Sequence, residues 1–391
     1  GDQDVIAFSG MITTLRWQEY MARTSRKYQP KTFLLSGGGL ATQLKAGLFQ
    51  WINELDAVAH SEGDDIILLI GKHLIDKKNK NINFNTSSNP YCIGKINGVD
   101  RYVYAGDRPK NLERLPFAAW DLLETDVNGD QVLEKYIRTP VWGADANNSS
   151  AAPFKMKRSL TTVSSRGCPY ACTFCYRGGQ GERLYGVRCE KNLAKEVKWL
   201  IDTYNIDFVG FPDDNFAVDR KRTAKLPEAF KDINIKWGTH TRLDEADDRL
   251  EPMAESGCVY IGFGAESASP DVLNYMKKGG FILKKGIVDI NGYTFPKSMV
   301  DGIRNTLSYG IHSNCTWIMG FPGEKLIDLK TSVAFIQWQK ELVTKGLLPG
   351  TTEYKVASES INENMFVATA YPGTEMFKHP KVQSMLNTNF K

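Results

Sequence analysis

Three cysteines fall within eight positions of the run Arg166-Gly167-Cys168-Pro169-Tyr170-Ala171-Cys172-Thr173-Phe174-Cys175-Tyr176. The thiols are separated by three residues and then by two, directly after a stretch that reads as a strand. Soft thiolates so close together suit an iron–sulfur cluster or zinc. Three ligands on one tight loop can hold three corners of a cubane and leave one iron open, as a catalytic zinc keeps an open position. A closed zinc site needs a fourth protein ligand. The next histidine is His240, and the only other close thiol is Cys189. The chain has seven cysteines in all, an odd and clustered set that does not read as a disulfide framework. Cys92, Cys189, Cys258 and Cys315 read as packing residues, since free cysteine is often buried.

The elements that must position this loop alternate between strand and helix. Apolar runs at 160–164, 207–211, 236–239, 259–264, 313–319 and 364–370 read as six strands with helical stretches between them, such as 191–204 and 329–345. Six such units suit an open, incomplete (β/α) barrel, in which chemistry sits at the carboxyl ends of the strands. Polar and glycine-containing groups fall at those ends: Phe211-Pro212-Asp213-Asp214-Asn215, Thr241-Arg242-Leu243-Asp244, Gly262 to Glu266-Ser267, Met319-Gly320-Phe321-Pro322-Gly323-Glu324, and Tyr371-Pro372-Gly373-Thr374. Each alone has an ordinary reading. Asp213 or Asn215 could cap a helix, Arg242 could form a surface ion pair, and the glycine-proline run could be a turn. All five at successive strand ends, after the cysteine loop, favour one site. The stretch 281–296 reads as an insertion on one such loop, where Tyr293 and Phe295 either line a pocket or pack.

Residues 4–72 form a shorter strand–helix alternation. Strands are expected at 5–8, 32–35 and 56–59, with a helix at 15–28 stopped by Pro30. They end in Ser9-Gly10, Ser36-Gly37-Gly38-Gly39 and Glu62-Gly63-Asp64, and open parallel sheets bind ligands at such ends. Residues 76–158 read as a connector with a hairpin at 93–104 around Asn97-Gly98 and an apolar segment from Leu115-Pro116 to Trp120-Asp121. Asp126 to Asp130 hints at a calcium loop, but Lys135 stands where the bidentate Glu belongs, so an Asx-type turn is expected.

With these motifs assembled, the chain resembles the radical S-adenosylmethionine (SAM) superfamily over residues 159–375, and within it the subgroup with an N-terminal cobalamin (B12)-binding domain. Cys168, Cys172 and Cys175, with Phe174 before the last, match the signature loop. The resemblance implies that these thiolates hold a [4Fe–4S] cluster whose open iron binds SAM. The cluster would cleave SAM to methionine and a 5′-deoxyadenosyl radical, which abstracts hydrogen from an unactivated carbon. It places Phe174, Asp213, Asp214, Arg242, Glu266, Ser267, Gly320, Pro322 and Gly373 around SAM, Arg242 on the carboxylate and Glu266 and Ser267 toward the ribose or amino group. Asp213 and Asp214 stand where the family usually has Gly-Gly-Glu. Cys189 and Cys315 are candidates for a substrate-side role, because some members use extra cysteines there. Ser9, Gly10, Thr13, Gly37, Gly38, Thr42, Glu62 and Gly63 resemble cobalamin-binding loops.

The expectation is an α/β chain. An incomplete Rossmann-like (flavodoxin-like) cobalamin-binding-type domain at 1–75 and a connector at 76–158 precede a partial (β/α)6 radical SAM barrel at 159–375 and a tail at 376–391. Three strands are legible in the first domain where about five are expected, so the chain reads as an N-terminally truncated copy; His60 does not fit the subgroup's cobalt-ligating motif. The implied reaction is cobalamin-dependent methyl transfer to an unactivated carbon. Cyclisation, rearrangement or oxidation without methyl transfer is the alternative, as is a non-catalytic iron–sulfur electron carrier, although such carriers use four protein ligands. A small-molecule or lipid substrate and an electron donor such as flavodoxin or ferredoxin are implied partners. A formal charge of +4, from 49 basic and 45 acidic residues, gives no electrostatic case for nucleic acid. No run of about 20 apolar residues suggests a membrane span, and no secretory leader is legible, so a cytoplasmic protein is expected.

Overall fold

The computed structural model describes residues 3–78, 91–96, 98–107, 111–126, 128–138, 156–176 and 185–389. The chain divides into two compact units. The first comprises Gly1–Lys110, Phe174–Glu182 and Ala370–Lys391, the second Asn111–Thr173 and Arg183–Thr369.

In the first unit the sheet runs β1 (Val5–Ser9), β2 (Phe33–Gly37), β3 (Ala57–Ser61), β5 (Val99–Gly106), β4 (Tyr91–Ile96). The first three and β5 are parallel, and β4 returns antiparallel at the edge. Both faces are covered, so the central strands are continuous apolar runs rather than alternating ones. Leu34, Val58 and Val103 pack on one side with Ala22 of the helix Leu15–Tyr28. Phe33, Leu35, Tyr102 and Tyr104 pack on the other with Ile66 and Ile70 of the helix Asp64–Lys78.

The sheet therefore has five strands, the three read at 4–72 and the two of the hairpin read at 93–104, which belongs to this sheet rather than to a connector. Arg101 interrupts the apolar pattern of β5. It is only 4% exposed, with its guanidinium on Asn53 O at 2.8 Å and Asp56 at 3.5 Å. Asp56 also accepts from Leu34 N and from Arg26, at 2.8 and 2.7 Å. One carboxylate thus ties β2, β5 and the first helix together.

The second unit is a curled, parallel, six-stranded half-barrel. Its order is β6 (Ser159–Thr161), β9 (Phe208–Phe211), β10 (Lys236–Arg242), β11 (Cys258–Glu266), β14 (His312–Met319) and β15 (Met365–Val367). A short ladder of β7 (Ser165–Arg166) and β8 (Gly186–Val187) flanks the cysteine loop. The insertion is a hairpin of β12 (Ile287–Ile290) and β13 (Tyr293–Pro296), turned by Asn291-Gly292 with φ of 54° and 80°, as a type I′ turn requires. Phe295 packs edge-on against Phe335 at 5.1 Å, and Tyr293 stacks beside it, so these rings build core.

Strand alternation separates two surfaces. Trp237 on β10 and Ile261, Phe263 and Ala265 on β11 enter the core, where Phe211, Phe216 and Trp237 cluster with Leu193, Val197 and Leu200 of the helix Glu190–Tyr204. Gly238, His240 and Arg242, with Gly262 and Gly264, take the opposite face. The segment around Pro116 joins this unit: Phe117 lies tilted against Trp199 with ring centres 5.7 Å apart, and Trp120 packs on the same core. Asp126 accepts from the backbone of Asn128 and Asp130 at 2.8 and 3.0 Å, the expected Asx turn.

Replacing Asp56 with Ala leaves the buried Arg101 without its carboxylate. The expected loss is about 3 kcal/mol, as for breaking one side of a buried pair. Hydrogen exchange should show it as faster exchange across β2, β3 and β5, with β9–β11 unchanged.

Candidate functional site

The cysteine loop is held from below. Asp213, at the end of β9 and 3% exposed, accepts from Ser164 N at 2.8 Å, from Ser164 Oγ, and from Ser165 Oγ at 2.6 Å. Asp214 Oδ2 accepts from Gly167 N at 3.0 Å, and Gly167 has φ of 81°, a conformation open to glycine where the chain bends toward Cys168. Buried Arg222 donates to Ser164 O and Oγ at 3.2 and 2.9 Å, with its guanidinium 4.3 Å above the Phe216 ring. Farther along, Thr173 N donates to Met276 O at 3.0 Å. Asp213 and Asp214, read from sequence as SAM contacts, are thus committed to the backbone that carries the first two cysteines.

Cys168 is half-buried, Cys172 buried and Cys175 exposed. Burial pushes the Cys168 thiol up. Cys172 adds to that shift, while a hydrogen bond from the Tyr170 backbone and the charge of Arg242 oppose it. Arg242, 6% exposed, reaches Cys172 Sγ at 3.7 Å and forks onto Asp244 at 2.9 and 3.2 Å. Its guanidinium lies 4.1 Å from the centre of the Tyr170 ring, whose hydroxyl donates to Glu245 at 2.7 Å. Among the described residues, no three His, Cys, Asp or Glu side chains group closely enough to hold a single metal ion. The donor set fits a cluster instead: three thiols on one loop, with a fixed cation beside one sulfur. A cubane takes one thiolate per iron and so accepts donors spread more widely than a mononuclear site, where sulfurs 2.3 Å from one zinc stand roughly 3.8 Å apart.

At the end of β11, Glu266 adopts φ of 65° after a break in the β11–β14 register. Its carboxylate meets Lys278 Nζ at 3.0 Å, and Lys278, 3% exposed, also donates to Gly264 O at 2.6 Å. A Cβ on Gly264 would lie 2.6 Å from Glu266 Oε1, so that glycine makes room for the folded-back carboxylate. Ser267 turns the other way. It is fully buried, its Oγ 3.3 Å from Ser332 Oγ and accepting from Ser269 N at 3.1 Å, and so it braces the helix Leu326–Thr344 rather than facing a ligand. At the end of β14, Gly320 has φ of 76° and donates to Glu324 Oε2 at 2.5 Å, with half-buried Pro322 between them. The other Glu324 oxygen is buried without a hydrogen-bond partner, and burial raises that carboxyl.

Cys189 caps the helix Glu190–Tyr204, accepting from Asn192 N at 3.4 Å. Cys258 and Cys315 are buried, and burial pushes Cys315 up to about 12. The side chain of Cys92 lies outside the described residues.

In the first unit three parallel strands deliver their loops to one edge. Leu40 N donates to Gly10 O at 2.8 Å, and a Cβ on Gly38 would fall 2.6 Å from Ser9 Oγ, so Ser9, Gly10 and Gly38 fit together. Buried Thr42 accepts from Ser61 N at 3.0 Å, one residue before Glu62-Gly63. Thr13 is exposed, and Gly37 closes β2. Half-buried Phe174 and Gly373 also belong to this unit. A Cβ on Gly373 would lie 2.4 Å from Gln43 Oε1, an acceptor buried without a partner. Tyr176 donates to Gly39 O at 2.7 Å. An orphaned acceptor beside small-residue loops fits an amide-bearing cofactor such as cobalamin.

Tyr170, Tyr176, Lys278 and Gln43 escaped the sequence reading. The first two sit inside and next to the cysteine motif, where a polar aromatic was a usable signal. Lys278 and Gln43 carry no motif.

Residues 162–336 match the Radical SAM superfamily model. An uncharacterized methyltransferase of Pyrococcus horikoshii is 24% identical over 99% of the chain and 71% of its own length. An anaerobic magnesium-protoporphyrin IX monomethyl ester cyclase of Rubrivivax gelatinosus is 21% identical over 70% of the chain and 46% of its own length. The solved structure of the cobalamin-dependent SAM radical enzyme OxsB, with aqua-cobalamin and SAM bound, superposes with a TM-score of 0.68 at 16% identity. It covers 99% of this chain and 53% of that one. The chain thus spans about half the length of two of these proteins, and none of its described helices is long and apolar enough to cross a membrane. The half-barrel, the three-cysteine loop at its first strand end and the matching segment together identify the chain as carrying a radical SAM domain, a domain that implies a [4Fe–4S] cluster and SAM.

Proposed function

We propose that the chain acts as a cobalamin-dependent radical SAM methyltransferase on an unactivated carbon of a small molecule. The observation that carries this reading is the three-cysteine loop fixed at the strand end of a half-barrel, with no fourth cysteine in its run. A [4Fe–4S] cluster held by these thiolates would supply the single-electron reduction by which SAM chemistry opens a carbon–sulfur bond.

The protein's own residues hold and orient. Cys168, Cys172 and Cys175 provide the thiolates. Asp213 and Asp214 fix the backbone that carries the first two. Arg242 has five N–H donors. Those on Nε and NH2 serve Asp244 and Lys278 O, and one on NH1 serves Cys172, which leaves one for a ligand carboxylate. Glu266, with Lys278 beside it, offers a carboxylate to an amino group or ribose. Gly320, Pro322 and Gly373 let backbone approach the adenine, and Ser267 braces the helix Leu326–Thr344 behind the strand end. In the first unit, Ser9, Gly10, Thr13, Gly37, Gly38, Thr42, Glu62 and Gly63 form the loops that would hold the corrin side chains, with Gln43 Oε1 as an acceptor for a side-chain amide. Flavodoxin or ferredoxin is the proposed reductant and the cytoplasm the proposed compartment. Methyl transfer rests on the methyltransferase similar over 99% of the chain. The similarity to the cyclase favours radical cyclisation without methyl transfer as the second reading.

Anaerobic reconstitution with iron and sulfide, followed by electron paramagnetic resonance, tests the proposal. A four-iron signal that shifts on adding SAM is expected, with Cys175→Ala abolishing it. A signal indifferent to SAM points instead to an electron carrier, and zinc in place of iron sinks the radical reading. Methyl-labelled SAM separates the two enzymatic readings, since label enters the product only in methyl transfer.

Asp213→Asn keeps the shape of the side chain but replaces one acceptor oxygen with a donor facing Ser164 and Ser165. Each lost hydrogen bond to a charged group is worth about 1.5–3 kcal/mol. Cluster content should fall by at least half on chemical iron and sulfide analysis. The circular dichroism spectrum should stay unchanged.

A further inference from the structure

We infer that Arg242 is a positioning residue for electron transfer: its guanidinium donates to the Cys172 sulfur and raises the reduction potential of the centre that the cysteine loop holds. This rests on the proposed function, since it assigns a role toward the same cluster, but it gives Arg242 a task other than holding a SAM carboxylate.

The geometry is over-determined. NH1 points at Cys172 Sγ across 3.7 Å, within hydrogen-bonding range for sulfur. Nε and NH2 are locked in a fork on Asp244, itself 7% exposed, and NH2 also reaches Lys278 O at 3.4 Å. The Tyr170 ring covers the guanidinium face at 4.1 Å, and its hydroxyl is pinned to Glu245 at 2.7 Å. Glu245 is 2% exposed, hydrogen-bonded to Thr241 Oγ1 at 2.7 Å and paired with Arg249 at 3.6 Å. The guanidinium therefore cannot swing away from the sulfur without breaking two buried carboxylate contacts. A surface ion pair would not be braced in this way.

The physical consequence has a definite sign. Reduction adds one electron to the cluster, and part of the added charge sits on the thiolate sulfurs. An N–H donor on a permanently charged group stabilises the reduced form more than the oxidised one, so it raises the potential. Burial strengthens the effect because little water screens it. Removing the donor must make reduction harder.

The test is a potentiometric titration of the reconstituted full chain, followed by electron paramagnetic resonance without SAM. At the potential where half of the wild-type cluster is reduced, Arg242→Gln should show a tenfold smaller reduced-to-oxidised ratio, a shift of about 59 mV to more negative potential for a one-electron couple. Arg242→Gln leaves buried Asp244 unpaired, so the double variant R242Q/D244N is measured beside it and should show the same shift. Arg242→Lys, which keeps the charge but not the fork, should fall between. A purely structural role would lower iron content without moving the midpoint of the cluster that does assemble. Unchanged midpoints in R242Q/D244N and R242K, with a wild-type four-iron cluster present, overturn this inference and leave the proposed function standing. A wild-type chain that assembles no four-iron cluster overturns the proposed function, and this inference with it.

Discussion

Much of the second unit hangs on a carboxylate that has no right to be buried alone. Asp213 sits at the end of β9 with almost no exposure, and an isolated charge there would cost several kcal/mol. Its cost is offset by Ser164 N, Ser164 Oγ and Ser165 Oγ, all from the segment that leads into the cysteine loop. Arg222 closes the arrangement from behind by donating to Ser164 O and Oγ. Satisfying the carboxylate and fixing the loop are therefore one event. The segment entering the loop at Cys168 cannot drift without exposing an unmet charge, which makes it stiffer than its two-residue flanking ladder could.

The same economy shapes the face of the half-barrel opposite its core. Alternation sends Trp237, Ile261 and Phe263 into the core, which leaves the opposite positions free to be small or polar. Gly262 stands across from His240, and a Cβ there would fall 2.5 Å from His240 Cδ2. Gly264 stands across from Arg242 and clears the space into which Glu266 folds. Bulk on one face and its omission on the other are two consequences of one pattern, so core stability and room for chemistry do not compete for the same residues.

This explains which features the sequence revealed. All six barrel strands are short apolar runs between polar ends, and the cysteine spacing is local, so both were legible. In the N-terminal sheet the three strands and the hairpin at 93–104 were legible, but not that the hairpin joins the sheet: β5 pairs with β3 across a long stretch of chain, and its buried Arg101 is met by Asp56, far away in sequence. Glu266 and Ser267, adjacent in sequence and read as one ligand-facing pair, diverge as strand alternation requires: Glu266 continues the face of Gly262 and Gly264, and Ser267 turns to the side of Phe263 and Ala265. Lys278, whose charge answers Glu266, sits beyond a helix in a stretch with no motif.

The glycines of the first unit carry a parallel lesson. Gly10, Gly38 and Gly39 look like a cradle for a ligand, yet a Cβ at each would meet a side chain: Thr14 of its own loop for Gly10, Ser9 for Gly38 and Met11 for Gly39. The smallness of Gly38 and Gly39 is needed to pack the loop after β2 against the loop after β1, whatever those loops hold. Gly63 differs, because nothing lies within 4 Å of the position its Cβ would take. Glycine content alone therefore overstates a binding site. The stronger pointer is a polar atom that folding leaves unmet, and at this edge that atom is Gln43 Oε1. A buried acceptor without a donor costs about 1–3 kcal/mol, a cost that a bound amide removes. The case for a cofactor on this unit rests better on that unmet acceptor than on the glycines around it.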